Sequence, residues 1–69
     1  MVDTVKLKIA ILKSGKKTSR VITESGLSKQ GFYNKMNAVR EFNAREIAKL
    51  KEVLNLTPEE VTEIFLTLV

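Results

Sequence analysis

Apolar residues recur along this chain at intervals of three and four: Leu7 and Ile11, Val21 with Ser25, Phe32 and Met36, Ile47 with Leu50 and Leu54, then Val61 with Ile64, Phe65 and Leu68. That spacing puts each group on one face of an α-helix, and the strict alternation of a half-buried strand occurs nowhere. Five short helices are therefore predicted, in a single all-α domain spanning residues 1–69 with no repeat, low-complexity stretch or dividing linker.

Local chemistry marks the ends of these helices. Helix one is predicted from Val5 to Ser14, stopped by Gly15, which tolerates the positive φ of a C-terminal cap. Helix two runs from Thr18 to Ser25 and ends at Gly26; at two turns it needs tertiary support to persist. Leu27 turns inward under the bend, Ser28 caps the next helix, and helix three continues to Asn37, burying Phe32 and Met36. Asn43 with Glu46 three residues on opens helix four, which Asn55 closes. Thr57-Pro58-Glu59-Glu60 opens helix five: Thr57 caps, Pro58 takes the position where its missing N–H costs nothing, and the glutamates suit the positive helix end. Its continuation, Ile64-Phe65-Leu66-Thr67-Leu68-Val69, is more apolar than one core face needs. Leu66, Leu68 and Val69 are on that ground a candidate dimer or partner face.

Composition narrows the chemistry. With neither cysteine nor histidine, the chain lacks disulfides, thiolate and imidazole metal ligands and the commonest general base. Its glutamates read as caps and a solvated helix face. No enzyme activity, cofactor, metal or small-molecule substrate is expected. Ser14-Gly15-Lys16-Lys17-Thr18 approaches a phosphate-binding loop, but the first glycine is missing and Lys17 takes the Ser/Thr place. The first residues lack the apolar core of a signal peptide, and no apolar run approaches the roughly 20 residues that cross a bilayer. A cytoplasmic protein with no membrane contact is the expectation, so the sequon Asn55-Leu56-Thr57 reads as chance.

Charge is more telling than its modest total of +4: residues 1–42 carry nine basic and three acidic side chains, and residues 43–69 carry three and five. The first part is thus +6 and the second −2, as expected of a molecule that meets a polyanion with one face.

Within the basic part, helices two and three and the glycine-containing turn between them have the lengths of a helix-turn-helix unit, whose second helix offers its N-terminal residues to base edges in the major groove. Turned away from Phe32 and Met36 are Ser28, Lys29, Gln30, Tyr33 and Asn34, the candidate base-reading residues. Gln and Asn pair with adenine, Lys donates to guanine, and the Tyr ring can meet a thymine methyl. Lys16, Lys17, Ser19, Lys35 and Asn37 are candidate phosphate contacts around them. Gly31 lies inside helix three at a cost of roughly 1 kcal/mol against alanine. Close approach to DNA and a tight crossing against helix two are the two reasons to weigh.

Gly26-Leu27-Ser28, Phe32, Lys35-Met36-Asn37, Arg40-Glu41-Phe42, Glu46-Ile47, Leu54-Asn55-Leu56-Thr57 and Glu60 with Ile64-Phe65 follow one another in an order that resembles the small phage repressor and Cro-like proteins. The apolar last helix is similar to that of Cro-like members from phages of Gram-positive bacteria. The resemblance runs from Leu7 to Phe65 and implies a compact five-helix repressor-like domain that binds double-stranded operator DNA as a homodimer, in the bacterial host's cytoplasm at the nucleoid, within a lysis/lysogeny switch. By position it implies that Thr18 opens helix two on a phosphate, that Lys29, Gln30 and Asn34 read bases, and that Arg40 touches backbone or minor groove. Departures fall at Ile22, where alanine is preferred, and at Ser25 and Lys16, where apolar residues are. An alternative of a different class is an antirepressor or modulator of the same fold that binds the cognate phage repressor protein.

Overall fold

Side chains able to cap a backbone stand before four of five helices, and that local chemistry sets the architecture. The computed structural model describes residues 1–66. It contains α1 (Thr4–Ser14), α2 (Thr18–Ser25), α3 (Lys29–Met36), α4 (Ala44–Val53) and α5 (Pro58–Phe65), and no strand among the described residues. Asp3, Ser28, Asn43 and Thr57 each accept a hydrogen bond from the backbone N–H three residues on, satisfying donors a helix start leaves open. At α4 and α5 the bond is returned: Glu46 accepts from the N–H of Asn43 at 3.0 Å and Glu60 from that of Thr57 at 2.9 Å. Among the described residues, α2 is the one helix with no side-chain cap.

Gly15 and Gly26 end α1 and α2 in the left-handed region, with φ of 73° and 79°. α3 and α4 also turn left-handed after their last residues, without glycine. The N–H groups of Asn55 and Leu56 close back on Glu52 and Lys51 with Asn55 at φ 54°; those of Ala38 and Val39 close on Lys35 and Asn34 with Ala38 at φ 64°. Asparagine tolerates that region, whereas alanine places its Cβ against the following carbonyl. Ala38→Gly is therefore expected to stabilise the fold by about 0.5–1 kcal/mol, read as a rise in the urea midpoint at unchanged m-value.

The core draws one fully buried residue from each of the first four helices, Leu7, Val21, Phe32 and Leu50, and Val61, Ile64 and Phe65 from α5. α2 packs on α3 and α4, and α5 on α1 and α4. Aromatic rings bind the far side: Phe32 meets Tyr33 and Phe42 edge-on, and Phe42 meets Phe65 at 5.4 Å between centroids. Two bonds from the chain's start complete the frame. The N–H of Asp3 donates to the Ile64 carbonyl, and the Thr4 hydroxyl donates to the Met36 carbonyl at the end of α3, both at 2.6 Å.

The predicted continuation of the last helix is corrected. α5 stops at Phe65: Leu66 turns left-handed at φ 53° while its N–H still closes on Thr62. Leu66 is 55% exposed, and Leu68 and Val69, the rest of the candidate partner face, lie outside the described residues.

Candidate nucleic-acid interface

α2 and α3 are joined by Gly26-Leu27-Ser28, and their exposed sides carry the polar residues expected to meet DNA. The two helices present them differently. On α3, Lys29 and Gln30 in the first turn are exposed, as is the capping Ser28, whose oxygen accepts from the N–H of Gly31. Tyr33 and Asn34, one turn further on, are half-buried, Tyr33 because its ring leans edge-on against Phe32 at 5.7 Å. The long, exposed side chains therefore lead and the half-buried ones follow.

On α2, the missing cap leaves the first backbone N–H groups, those of Thr18 and Ser19, without an intrahelical partner. An uncapped helix start beside a lysine favours an anion, because the N–H groups and the helix dipole point the same way. Lys17 and Ser19 are exposed there and Thr18 is half-buried. Tyr33 connects the two helices. It lines a groove of about 380 Å³ with Ser19, Thr23 and Lys29, and a second of about 580 Å³ with Lys17 and Thr18. The start of α2 and the first turn of α3 thus flank one aromatic ring. Asn37 and Arg40, exposed at and beyond the end of α3, line neither groove.

Two lysines expected to touch phosphates are held elsewhere. Lys35 donates to both carboxylate oxygens of Glu46, at 2.6 Å to Oε1, with the two side chains only 17% and 14% exposed. Burial pushes the Glu46 carboxyl up, but the Lys35 ammonium and the Asn43 N–H outweigh it and hold the group below its ordinary value. One carboxylate therefore caps α4 and clamps the last turn of α3 to it. Lys16 donates to Glu24 at 3.0 Å and to the Val53 carbonyl at 2.9 Å, satisfying an orphan acceptor at the end of α4. Arg20 holds the other oxygen of Glu24 at 2.6 Å, and this bond first, with Lys16 second, keeps Glu24 below its ordinary value. Lys17, Lys29 and Arg40, by contrast, make no ion pair among the described residues.

The geometry removes one of the two reasons weighed for Gly31. A Cβ there would come within 2.9 Å of the Ser28 hydroxyl oxygen and within 4 Å of nothing in α2, so no tight helix crossing demands the glycine. Ile22 and Ser25, the departures on α2, are both buried, and the Ser25 hydroxyl is satisfied by the Ile22 carbonyl at 2.7 Å.

Sequence reasoning missed Glu46 and Glu24 as partners of these cations. Arg20 and Glu24, four apart on a helix, were findable; Lys35 and Glu46 are on different helices and were not. Among the described residues no acidic cluster could hold a metal ion, and no helix is long and apolar enough to cross a membrane. Compared with protein-family models, curated proteins and solved structures, the chain matches none.

Proposed function

We propose that this protein is a sequence-specific DNA-binding transcriptional regulator, a Cro-like repressor whose α2–α3 pair acts as a helix-turn-helix and whose α3 enters the major groove of operator DNA. The observation that carries the reading is the exposed first turn of α3, Lys29 and Gln30, set beside the uncapped start of α2 with Lys17, which makes no ion pair among the described residues. In that arrangement the free N–H groups of Thr18 and Ser19 hold a phosphate, Lys17 and Arg40 neutralise its neighbours, and Lys29 and Gln30 reach base edges. Tyr33 and Asn34, less exposed, meet the bases that come closest to the helix. Lys16 and Lys35 keep their internal partners and position the helices. A homodimer would set two such helices on successive major grooves, and the resemblance to phage repressors makes a lysis/lysogeny operator the natural target.

Two substitutions separate positioning from reading. Gln30→Ala should cost about 1–3 kcal/mol on the preferred site and relax the preference at one base position per half-site. Lys17→Ala should weaken binding to every sequence alike and reduce the slope of log K against log salt by about 1. Fluorescence anisotropy titrations over a salt series distinguish them. A Gln30→Ala protein that loses affinity equally on all sequences would show that this side chain reads no base.

A further inference from the structure

The apolar pattern of α1 is used twice. Leu7, Ala10 and Ile11 enter the core, while Val5, Ile9 and Leu12, spaced by four and three, form a second stripe that stands 66%, 45% and 80% exposed. At 3.6 residues per turn this stripe lies opposite Leu7. Three of the six large exposed apolar side chains among the described residues are gathered here, so they form a patch rather than scattered exceptions.

Lysines border the stripe on both sides. Lys8 lies along one flank and Lys6 and Lys13 along the other. The Lys8 flank falls away into the groove of about 580 Å³, which Leu12 also lines, and the other into one of about 150 Å³ lined by Ile9, Lys13 and Glu63. α1 is thus an apolar ridge between two grooves with basic rims. Lys8 and Lys13 make no ion pair among the described residues, and α1 contains no acidic residue.

We infer that the Val5–Ile9–Leu12 face of α1 is a docking surface for an amphipathic helix of a partner protein, one whose apolar stripe is flanked by carboxylates. The fold contains an instance of this chemistry: α1 packs on α5, an apolar helix with Glu59, Glu60 and Glu63, and Lys6 meets Glu63 at 3.5 Å. A partner's acidic helix would repeat it on the free side, against Lys8 and Lys13. A second copy of this chain fits poorly, since a two-fold contact through α1 would bring Lys6, Lys8 and Lys13 of both copies together, while Glu63, at the rim of this face, is already paired with Lys6 of its own chain. An anionic lipid surface would meet the lysines but leave the grooves unfilled, and the ridge carries no interfacial Trp or Tyr. The proposal does not depend on DNA binding.

The test is an NMR titration of the isotopically labelled full chain, without DNA. The probes are a designed helical peptide with leucines at i, i+4 and i+7 flanked by glutamates, the same peptide with glutamines for glutamates, and phosphatidylglycerol vesicles. Saturable shifts at Val5, Lys8, Ile9 and Leu12 are expected with the acidic peptide, several-fold weaker binding with the glutamine peptide, and a loss of about tenfold or more for Leu12→Lys. Leu12 is exposed, so the variant should fold; if its circular dichroism says otherwise, Val5→Lys takes its place. Four results would each overturn the proposal: equal binding of both peptides, shifts centred on another helix, α1 shifts with vesicles alone, or a dimer in sedimentation that Leu12→Lys dissociates.

Discussion

Phe32→Ala is expected to remove about 3–5 kcal/mol of folding free energy, most of what a chain of this size has. The ring is fully buried and meets Tyr33 and Phe42 edge-on, so its loss leaves a cavity ringed by aromatic side chains that cannot all move in to fill it. The same ring anchors α3, whose exposed first turn carries Lys29 and Gln30. DNA affinity should therefore fall with the folded fraction rather than through any lost contact. Phe32→Leu, closer in volume, should cost about 1–2 kcal/mol and leave binding by the folded molecules unchanged. Urea unfolding followed by circular dichroism gives both values. A Phe32→Ala protein within about 1 kcal/mol of wild type would mean that the core does not converge on this residue.

The second large effect lies at the clamp between α3 and α4. Lys35→Met keeps the apolar stem and removes the charge, leaving the mostly buried Glu46 carboxylate with only the Asn43 N–H. A loss of about 2–3 kcal/mol is expected at pH 7, less than for a fully enclosed pair because both side chains retain some exposure. The pH dependence tells this from simple loss of packing. In the wild type the Glu46 carboxyl sits below its ordinary value of 4.5, so its contribution is complete above that pH and disappears as pH falls through the folded-state value beneath it. Without Lys35, burial dominates and raises the carboxyl, so protonation then favours the folded state. The gap between wild type and variant should consequently narrow as pH falls from 7 toward 4.5. Glu46→Gln should flatten the part of the acid limb that this group supplies. Urea midpoints from pH 7 to below 4.5 provide the check, and a gap independent of pH would contradict the role given to the charge.

The helix ends were legible because they depend on residues within a turn of one another. Asn43 with Glu46 and Thr57 with Pro58 and Glu60 state a helix start in four letters, and Gly15 and Gly26 state an end. Contacts between helices were less legible. That Lys16 would reach the Val53 carbonyl, or Lys35 the Glu46 carboxylate, follows from how the helices cross, and charge alone does not tell a paired lysine from a free one. Two of the seven expected phosphate contacts are held inward for this reason. The second apolar stripe of α1 was hidden by the first: once Leu7 and Ile11 define a core face, Val5, Ile9 and Leu12 look like scatter until their exposure is seen. Gly31 shows the converse, a residue for which a tight crossing against α2 could be imagined from the sequence and is absent in the fold.

The central claim is that α3 reads sequence, and selection of bound duplexes from a random DNA pool tests it most directly. The wild-type protein should enrich a motif, with two-fold symmetry if it binds as a homodimer, and Gln30→Ala should enrich the same motif with one position per half-site relaxed. No enriched motif at moderate salt, or an identical motif from both proteins, would contradict it.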